Sequence, residues 1–431
     1  MKVLIVGGGA REHTLAVQMA AEPGTSVVCA PGNPGIARDV AVASVNPLDP
    51  DAVLALAESI GADLTVIGPE APLAAGVVDR FHAAGRAIFG PTKAAAQIET
   101  SKAFAKNLMR RYGVPTAESV VCDTIDDAMA ALSAGRLGWP VVVKADGLAA
   151  GKGVVIASDR AAAEAAVRAA MLDAAFGAAG ARLVLEECLT GEELSYFLIV
   201  SGTRFVACGS AQDHKRLLDG DEGPNTGGMG AFAPSVLMTD ALQARLDREV
   251  VVPVLAGMAA EGTPFVGFLY CGLMLTPGGP KVIEFNCRFG DPEAQVVLPL
   301  LAEPLAPLLL AAATNGDLPS RAVFSDDVTV GVVLAARGYP HAPESGQVIH
   351  GLDAASTDRT GVQIRFAGVA ARDGQLVTAG GRVLTVVGRA GDYAAAIRAA
   401  YAAAAGVTFD GMQRRADIGA RAVRSASSPR R

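Results

Sequence analysis

The sequence predicts a multidomain α/β and α+β protein. It opens on a doubly wound parallel sheet, continues through a small α+β lobe and a larger, mostly antiparallel sheet, and closes on a further α/β unit. Three observations predict this. Strand and helix patterns alternate through the first ninety residues, each strand running into a Gly/Pro loop, as parallel sheets require. Short β-branched runs then bracket helices between residues 115 and 187. Finally, four longer apolar runs follow one another, LSYFLIV, RFVACGS, GFLYCGLMLT and KVIEFNC, without helical sequence between the first two or the last two.

Taken in order, VLIV (3–6) leads to GGGAREH and a helical run to Ala21, and SVVCA (26–30) leads to PGNPG. Residues 51–60 read as a helix, DLTVI (63–67) as a strand before GPEAPL, and a further helix precedes AIFG (87–90). Ligands on such sheets bind at the carboxyl ends of the strands. Helical sequence spans Thr92 to Arg111, where Gly113 and Pro115 stop it. In the small lobe SVVC (119–122), PVVVKA (140–145), GVVIAS (153–158) and RLVLEE (182–187) are strands. Residues 126–134 form one helix there, and Asp159 caps a second that reaches about Leu172. After Asp317, VTVGVVLAA, VQIRFAGVA and RVLTVVGR are strands, and 392–405 is an Ala-rich helix closed by Gly406. RSASSPRR reads as a solvated tail.

The chain has 431 residues, 51% of them hydrophobic, enough for about three domains with large cores. A formal charge of −7 gives no general attraction to nucleic acid or anionic membrane, while leaving room for a local basic pocket. The six cysteines form no CxxC pair, so free thiols in a reducing cytosol are the simplest reading. The opening apolar run is too short for a signal peptide. The segment 298–314 carries Glu303 and three prolines, so it reads as buried helix and not as a membrane span.

Five stretches carry chemistry. KADGLAAGKGV (144–154) brings Gly147, Gly151 and Gly153 around Lys152, but its spacing fails the Walker pattern and strands flank it on both sides. Backbone N–H groups in such a strand–loop–strand can approach an anion without a helix dipole; an ordinary flexible hairpin fits this segment equally. In KVIEFNCRFGDPEAQ (281–295), Glu284 and Asn286 are two apart on one strand and share a face. That oxygen pair suits Mg²⁺, and Arg288 and Asp291 in the following Gly/Pro loop suit phosphate; the competing reading is an edge strand with a solvated face. QDHKRLLDGDEGPNTGGMGAF (212–232) reads as one long glycine-rich loop, with cations at Lys215 and Arg216 and a glycine run about Asn225, Thr226 and Met229. LVLEECLTGEELSYF (183–197) ends a strand in Glu186 and Glu187, a base-binding edge or an acidic surface turn. GGGAREH (7–13) begins like a dinucleotide loop, but Glu12 stands where the last glycine belongs and SVVCA lacks the acidic ribose position. Arg11 at the helix start could hold a sugar phosphate.

Together, GGGAREH, APGNPG, IGPEAPL, FGPTKAAAQIETSKAF, VVKADGLAAGKGV, QDHKRLLDGDEGPNTGGMGAF, VIEFNCRFGDPE and GGRVLTVV resemble the phosphoribosylamine–glycine ligase (GAR synthetase) family of the ATP-grasp superfamily, in order and to about Val423. The resemblance implies a Rossmann-like N-terminal domain (1–103), a central ATP-grasp fold (104–320) with a small mobile lid lobe (about 115–187), a C-terminal mixed α/β domain (321–423) and a flexible tail (424–431). It implies ATP held by Lys102, Lys144, Gly147, Gly151, Lys152, Gly153, Glu186, Glu187, Leu189 and Glu193, with Lys152 ranked below Lys144. Glu284 and Asn286 would hold Mg²⁺ or Mn²⁺, and Arg288, Lys215 and Asp213 would be catalytic. Glycine and 5-phosphoribosylamine would meet Gly9, Arg11, Glu70, Asn225, Thr226, Gly227, Gly228, Met229 and Asp291, with RGYP (337–340) and GGR (380–382) closing the site. The implied reaction activates glycine as glycyl phosphate, in a cytoplasmic monomer that binds neither nucleic acid nor membrane.

One departure from the family pattern and one from the wider ATP-grasp superfamily, the latter normal within this ligase family, stand out. The first glycine loop lacks the usual Asn, and FLYCGLMLT (268–276) offers no further metal carboxylate. The rival readings are another ATP-grasp carboxylate–amine ligase or carboxylase of purine metabolism, a nicotinamide-dependent oxidoreductase and a non-catalytic scaffold.

Overall fold

The computed structural model describes residues 1–148, 153–173, 175, 177–352 and 361–427. The N-terminal strands Ser26–Pro31, Lys2–Gly7, Leu64–Ile67 and Ile88–Phe89 lie side by side with Ala41–Val42 at the far edge, all parallel. Local signals fix the helices between them. Asp49 caps the helix Pro50–Ile60, accepting from the N–H groups of Asp51 and Ala52. Proline occupies the first turn, and left-handed Gly61 ends the helix.

The small lobe is a four-stranded antiparallel sheet, in the order Ser119–Cys122, Leu183–Glu187, Val141–Ala145, Val154–Ala157. The register Val141↔Ala157 to Lys144↔Val154 makes the glycine stretch the tip of a hairpin. Two helices, Ile125–Ala134 and Arg160–Met171, cover one face and give the lobe its own core.

The largest sheet has eight strands and runs from Gly279–Asn286 through Val266–Thr276, Glu192–Ser201, Arg204–Asp213, Gly230–Ala233, Val328–Ala335 and Arg382–Ala390 to Val362–Phe366. It therefore crosses from the middle of the chain into the C-terminal third without interruption. An aromatic column pins one end of this sheet to the N-terminal sheet. Phe89 meets Phe268 edge-on at 4.9 Å, Phe268 meets Phe289 at 5.0 Å, and Phe289 stacks on Phe197 at 4.4 Å. The N-terminal domain also grips the C-terminal one. Asn33 donates to the carbonyls of Phe366 and Ala367, and His13 Nδ1 accepts the Phe366 N–H at 2.9 Å.

Four local expectations are corrected. The helix over 92–111 is broken at Ser101, which is extended and caps a new helix, Lys102–Arg111, by accepting from Phe104 N–H. Residues 212–232 are not one loop: Arg216–Leu218 pairs with Glu222–Asn225 as a hairpin between two strands of the main sheet. VQIRFAGVA divides into Val362–Phe366 and Val369–Arg372, which join different sheets. The tail from 424 begins as helix, because Ala420–Ser427 is one element with Ala422 buried beneath it.

Candidate active site

A cleft of about 1340 Å³ lies between the small lobe and the eight-stranded sheet, with the N- and C-terminal domains closing its far end. A single small-molecule site usually occupies about 300–1,000 Å³, so there is room here for a nucleotide and further substrates. Its floor is the strand pair Val266–Thr276 and Gly279–Asn286. Glu284 lies opposite Gly272, and Asn286 opposite Tyr270. Glycine at 272 keeps the floor open beside Glu284, because a Cβ there would come within 3.2 Å of the Glu284 side chain. Burial opposes the charge of Glu284, but Lys215, Lys144, Lys102 and Arg288 outweigh it and hold the carboxyl below its usual range. Asn286 Oδ1 accepts from Arg288 Nη2 at 3.1 Å, which leaves the amide oxygen a second lone pair.

These two residues fit a hard cation that takes most of its ligands from phosphate and water. Among the described residues, no group of three or more His, Cys, Asp or Glu is placed to hold a metal unaided.

Arg288 is held by two carboxylates, Glu99 Oε1 at 3.0 Å and Glu70 Oε2 at 3.3 Å. Burial works against its charge, yet Glu99 and Glu70 keep it firmly protonated. Across the floor Lys215 pairs with Glu193 Oε2 at 2.9 Å. Asp213 sits with these groups, and burial raises its carboxyl to about 7, Lys215 opposing and Glu293 adding to the rise. Burial likewise raises Glu293, whose Oε1 accepts from Ser195 Oγ at 3.3 Å.

Above the floor, Lys144 donates to Glu186 Oε2 at 3.0 Å and to the Ile283 carbonyl at 3.3 Å, tying the lobe to the strand Gly279–Asn286. Lys106 reaches the same Glu186 oxygen at 3.0 Å, and burial brings its ammonium down to about 8. Glu186 is thus the buried counter-ion of two lysines, and its Oε1 has no protein partner among the described residues. Glu187 pairs with Lys281 at 2.6 Å. Lys102 donates to the Gly147 carbonyl at 3.0 Å, so the helix start that Ser101 created holds the base of the hairpin tip.

The first glycine loop is filled by its own side chain. Glu12 Oε2 accepts the Gly9 N–H at 2.6 Å, and Glu12 Oε1 takes Arg11 Nε at 2.6 Å. A Cβ on Gly7 or Gly68 would strike this carboxylate side chain at 2.5 or 2.2 Å. A dinucleotide pyrophosphate would have to displace it, which is the physical reason the glycine-to-Glu12 change disfavours the nicotinamide reading. From the opposite side, Arg382 donates to the carbonyls of Gly227 and Asp291, both at 2.6 Å, and pairs with the Asp291 carboxylate at 3.1 Å. Tyr339 Oη accepts the Gly227 N–H at 2.9 Å. RGYP and GGR therefore close against the NTGG segment.

The expected residues divide clearly. Lys102, Lys144, Gly147, Gly153, Glu186, Glu187, Leu189 and Glu193 line the cleft, as do Glu284, Asn286, Arg288, Asp213 and Lys215. Arg11, Glu70, Asn225, Thr226, Gly227 and Asp291 line it too. Gly151 and Lys152 lie outside the described residues. Gly9, Gly228 and Met229 are not among the lining residues; Met229 is fully buried and joins the sheet through its backbone, donating to the His214 carbonyl and accepting from Val333. Sequence reasoning passed over Glu99, Lys106, Tyr270 and Glu293, all of which line the cleft, as does Arg382 of the GGR segment expected to close it. Glu99 and Lys106 look like ordinary helix-surface residues, and only the fold brings them inward. Glu293 was within reach, since it ends the FNCRFGDPE run.

Comparison with known proteins matches the chain to three family models in succession. These are the phosphoribosylglycinamide synthetase N domain over residues 1–99, its ATP-grasp (A) domain over 100–294 and its C domain over 329–421. Phosphoribosylamine–glycine ligase of Ralstonia nicotianae is 49% identical over 428 residues, covering 98% of this chain and 100% of its own. The enzyme of that name from Caulobacter vibrioides is 49% identical, covering 98% and 99%. The crystal structure of phosphoribosylamine–glycine ligase from Thermotoga maritima superposes with a TM-score of 0.84 at 36% identity, covering 97% of this chain and 100% of that one. The biotin carboxylase domain of Hydrogenobacter thermophilus 2-oxoglutarate carboxylase, solved with MgADP and bicarbonate, shares the fold at 19% identity with a TM-score of 0.71, covering 96% and 91%.

Proposed function

The chain belongs to the phosphoribosylglycinamide synthetase family and is an ATP-grasp ligase, and from that premise we propose that it joins glycine to 5-phosphoribosylamine, giving glycinamide ribonucleotide, ADP and phosphate. The observation that carries the reading is the floor of the cleft. There Glu284 and Asn286 stand beside Arg288 and Lys215, within reach of Lys144 from the lobe and of Lys102 from the helix that precedes it. ATP lies between lobe and sheet, its base along 186–189 and its ribose at Glu193. In this arrangement Lys215 exchanges its pairing with Glu193 for substrate.

Carboxylate is a poor electrophile, so the ligase first makes it a better one. Glycine's carboxylate oxygen attacks the γ-phosphorus, the bond to the ADP oxygen breaks, and glycyl phosphate forms. Mg²⁺ or Mn²⁺, held by Glu284 and Asn286 when bound, neutralises phosphate charge. Arg288 and Lys215 stabilise the charge on the transferring group. The amine of phosphoribosylamine then attacks the acyl carbon, the C–O bond to phosphate breaks, and the amine loses a proton. Asp213, with a carboxyl that titrates near 7, is suited to accept it. The acyl phosphate must be kept from water, which closure of the small lobe accomplishes. We place the enzyme in the cytoplasm as a monomer; among the described residues no helix is long and apolar enough to cross a membrane.

The test is oxygen transfer. With glycine labelled by ¹⁸O in its carboxylate, the released phosphate should carry one ¹⁸O atom. Unlabelled phosphate, or AMP in place of ADP, overturns the acyl-phosphate route.

A further inference from the structure

Arg288 lies between two carboxylates that differ in kind. Glu70 stands at the start of the short helix Glu70–Ala75, with its side chain 30% exposed to the cleft. Glu99 belongs to the turn Gln97–Thr100, and its side chain is 8% exposed. Glu99 also has a second task. Its Oε2 accepts the Cys287 backbone N–H at 2.7 Å and the Cys287 thiol at 3.1 Å, while Oε1 receives Arg288 Nη2 at 3.0 Å. Both residues it holds come directly after Asn286, where the strand Gly279–Asn286 ends.

The remaining groups around Arg288 complete its fixation. The Phe289 carbonyl accepts from Nη1 at 3.2 Å and Asn286 Oδ1 from Nη2. Phe289 itself is locked in the aromatic column. Glu70 also reaches this loop through Arg288, and Arg11 Nη1 donates to the Phe289 carbonyl at 3.2 Å, but of these three Glu99 alone binds both the Arg288 guanidinium and a backbone N–H of the loop.

We propose that Glu99 is a positioning residue for the ligation: a permanent anchor that fixes the Arg288 guanidinium beside Asn286, while Glu70 is the exchangeable counter-ion that yields Arg288 to the transferring phosphate. This rests on the phosphoryl-transfer reading of the cleft. An anchor must be enclosed and multiply bonded, as Glu99 is. A counter-ion that is to be exchanged must be open to the substrate side and lightly held, as Glu70 is, with one side-chain hydrogen bond, to Arg288 Nε at 3.3 Å. Gln at position 99 keeps an oxygen for the Cys287 N–H but turns an NH₂ group toward Arg288, so it removes the anchor with little change of shape.

The experiment is a double-mutant cycle on the full chain with Glu99→Gln and Arg288→Lys, assayed by ADP release with ATP, glycine and phosphoribosylamine, together with a crystal structure of Glu99→Gln. The expected result is a fall in kcat of about 10- to 100-fold for Glu99→Gln with the KM for glycine within about threefold. The double variant should be no slower than Arg288→Lys alone. If Glu99→Gln does not fold, Glu99→Asp, one methylene shorter, enters the cycle under the same criterion. Additive effects, or a Glu99→Gln kcat within about twofold of wild type, overturn the proposal. So does a crystal structure in which the Arg288 guanidinium has not moved from Asn286, and that reading holds whether or not the wild type ligates. A wild type that releases no ADP refutes the phosphoryl-transfer reading itself.

Discussion

At the scale of single residues, the cleft depends on charges made useful by enclosure. Glu284 stays ionised because four cations outweigh its burial, and the proposed role for that charge is to hold the metal. Glu284→Ala should therefore lower kcat/KM by about 10²–10³-fold at ordinary Mg²⁺ while the protein stays folded; near-normal turnover would remove the metal assignment. Asp213 is enclosed with the opposite outcome, its carboxyl raised to about 7. Its base form appears as pH rises through that value, so kcat should climb with an apparent pKa near 7, and Asp213→Asn should lose that limb of the profile. Glu284 and Asn286 were legible in the sequence because strand alternation places them on one face. Glu99 was not, because its partners lie 188 and 189 residues away in the chain and nothing local marks it.

At the scale of elements, the glycine stretch 144–154 was legible as a hairpin from its β-branched flanks, and the register of Val141–Ala145 with Val154–Ala157 agrees. The stretch 212–232 was misread as one loop because its glycines, Asp and Pro look like turn chemistry throughout; the Arg216–Asn225 pairing inside it is braced by the C-terminal segment, where Arg421 of the last helix and Arg415 before it meet Asp221. The aromatic column could not be read from sequence at all, since its members come from strands of two different sheets and from the loop after Asn286. It carries a clear prediction. Phe289 is fully buried, stacked on Phe197 and edge-on to Phe268. Phe289→Ala should cost about 3–5 kcal/mol of stability, measured as a lower urea midpoint of the transition that includes the N-terminal domain, and it should loosen Arg288 as well. A shift of under about 1 kcal/mol would show that the column does not join the domains.

At the scale of the molecule, the order of domains was legible because each carries its own motif in sequence, but the continuous eight-stranded sheet was not, because pairing between distant strands leaves no local mark. One consequence concerns pH. His214 is fully enclosed behind the floor, neither ring nitrogen has a partner among the described residues, and burial takes its pKa from 6.5 to about 4. The unfolded chain then binds more protons than the native state between those values, so this residue withdraws about 3 kcal/mol of stability as pH falls from 6.5 to 4. His13, lowered by burial, acts in the same direction, whereas Asp213 acts in the opposite one. The comparison that isolates His214 is wild type against His214→Leu: their stability difference should shift in the variant's favour across that window, and parallel curves would contradict it. The central claim concerns the cleft as a whole, and labelled glycine tests it most directly. With ATP, Mg²⁺ and freshly prepared phosphoribosylamine, the account predicts that labelled glycine appears in glycinamide ribonucleotide with one ADP released per molecule formed; ATP cleaved without incorporation of glycine would contradict it.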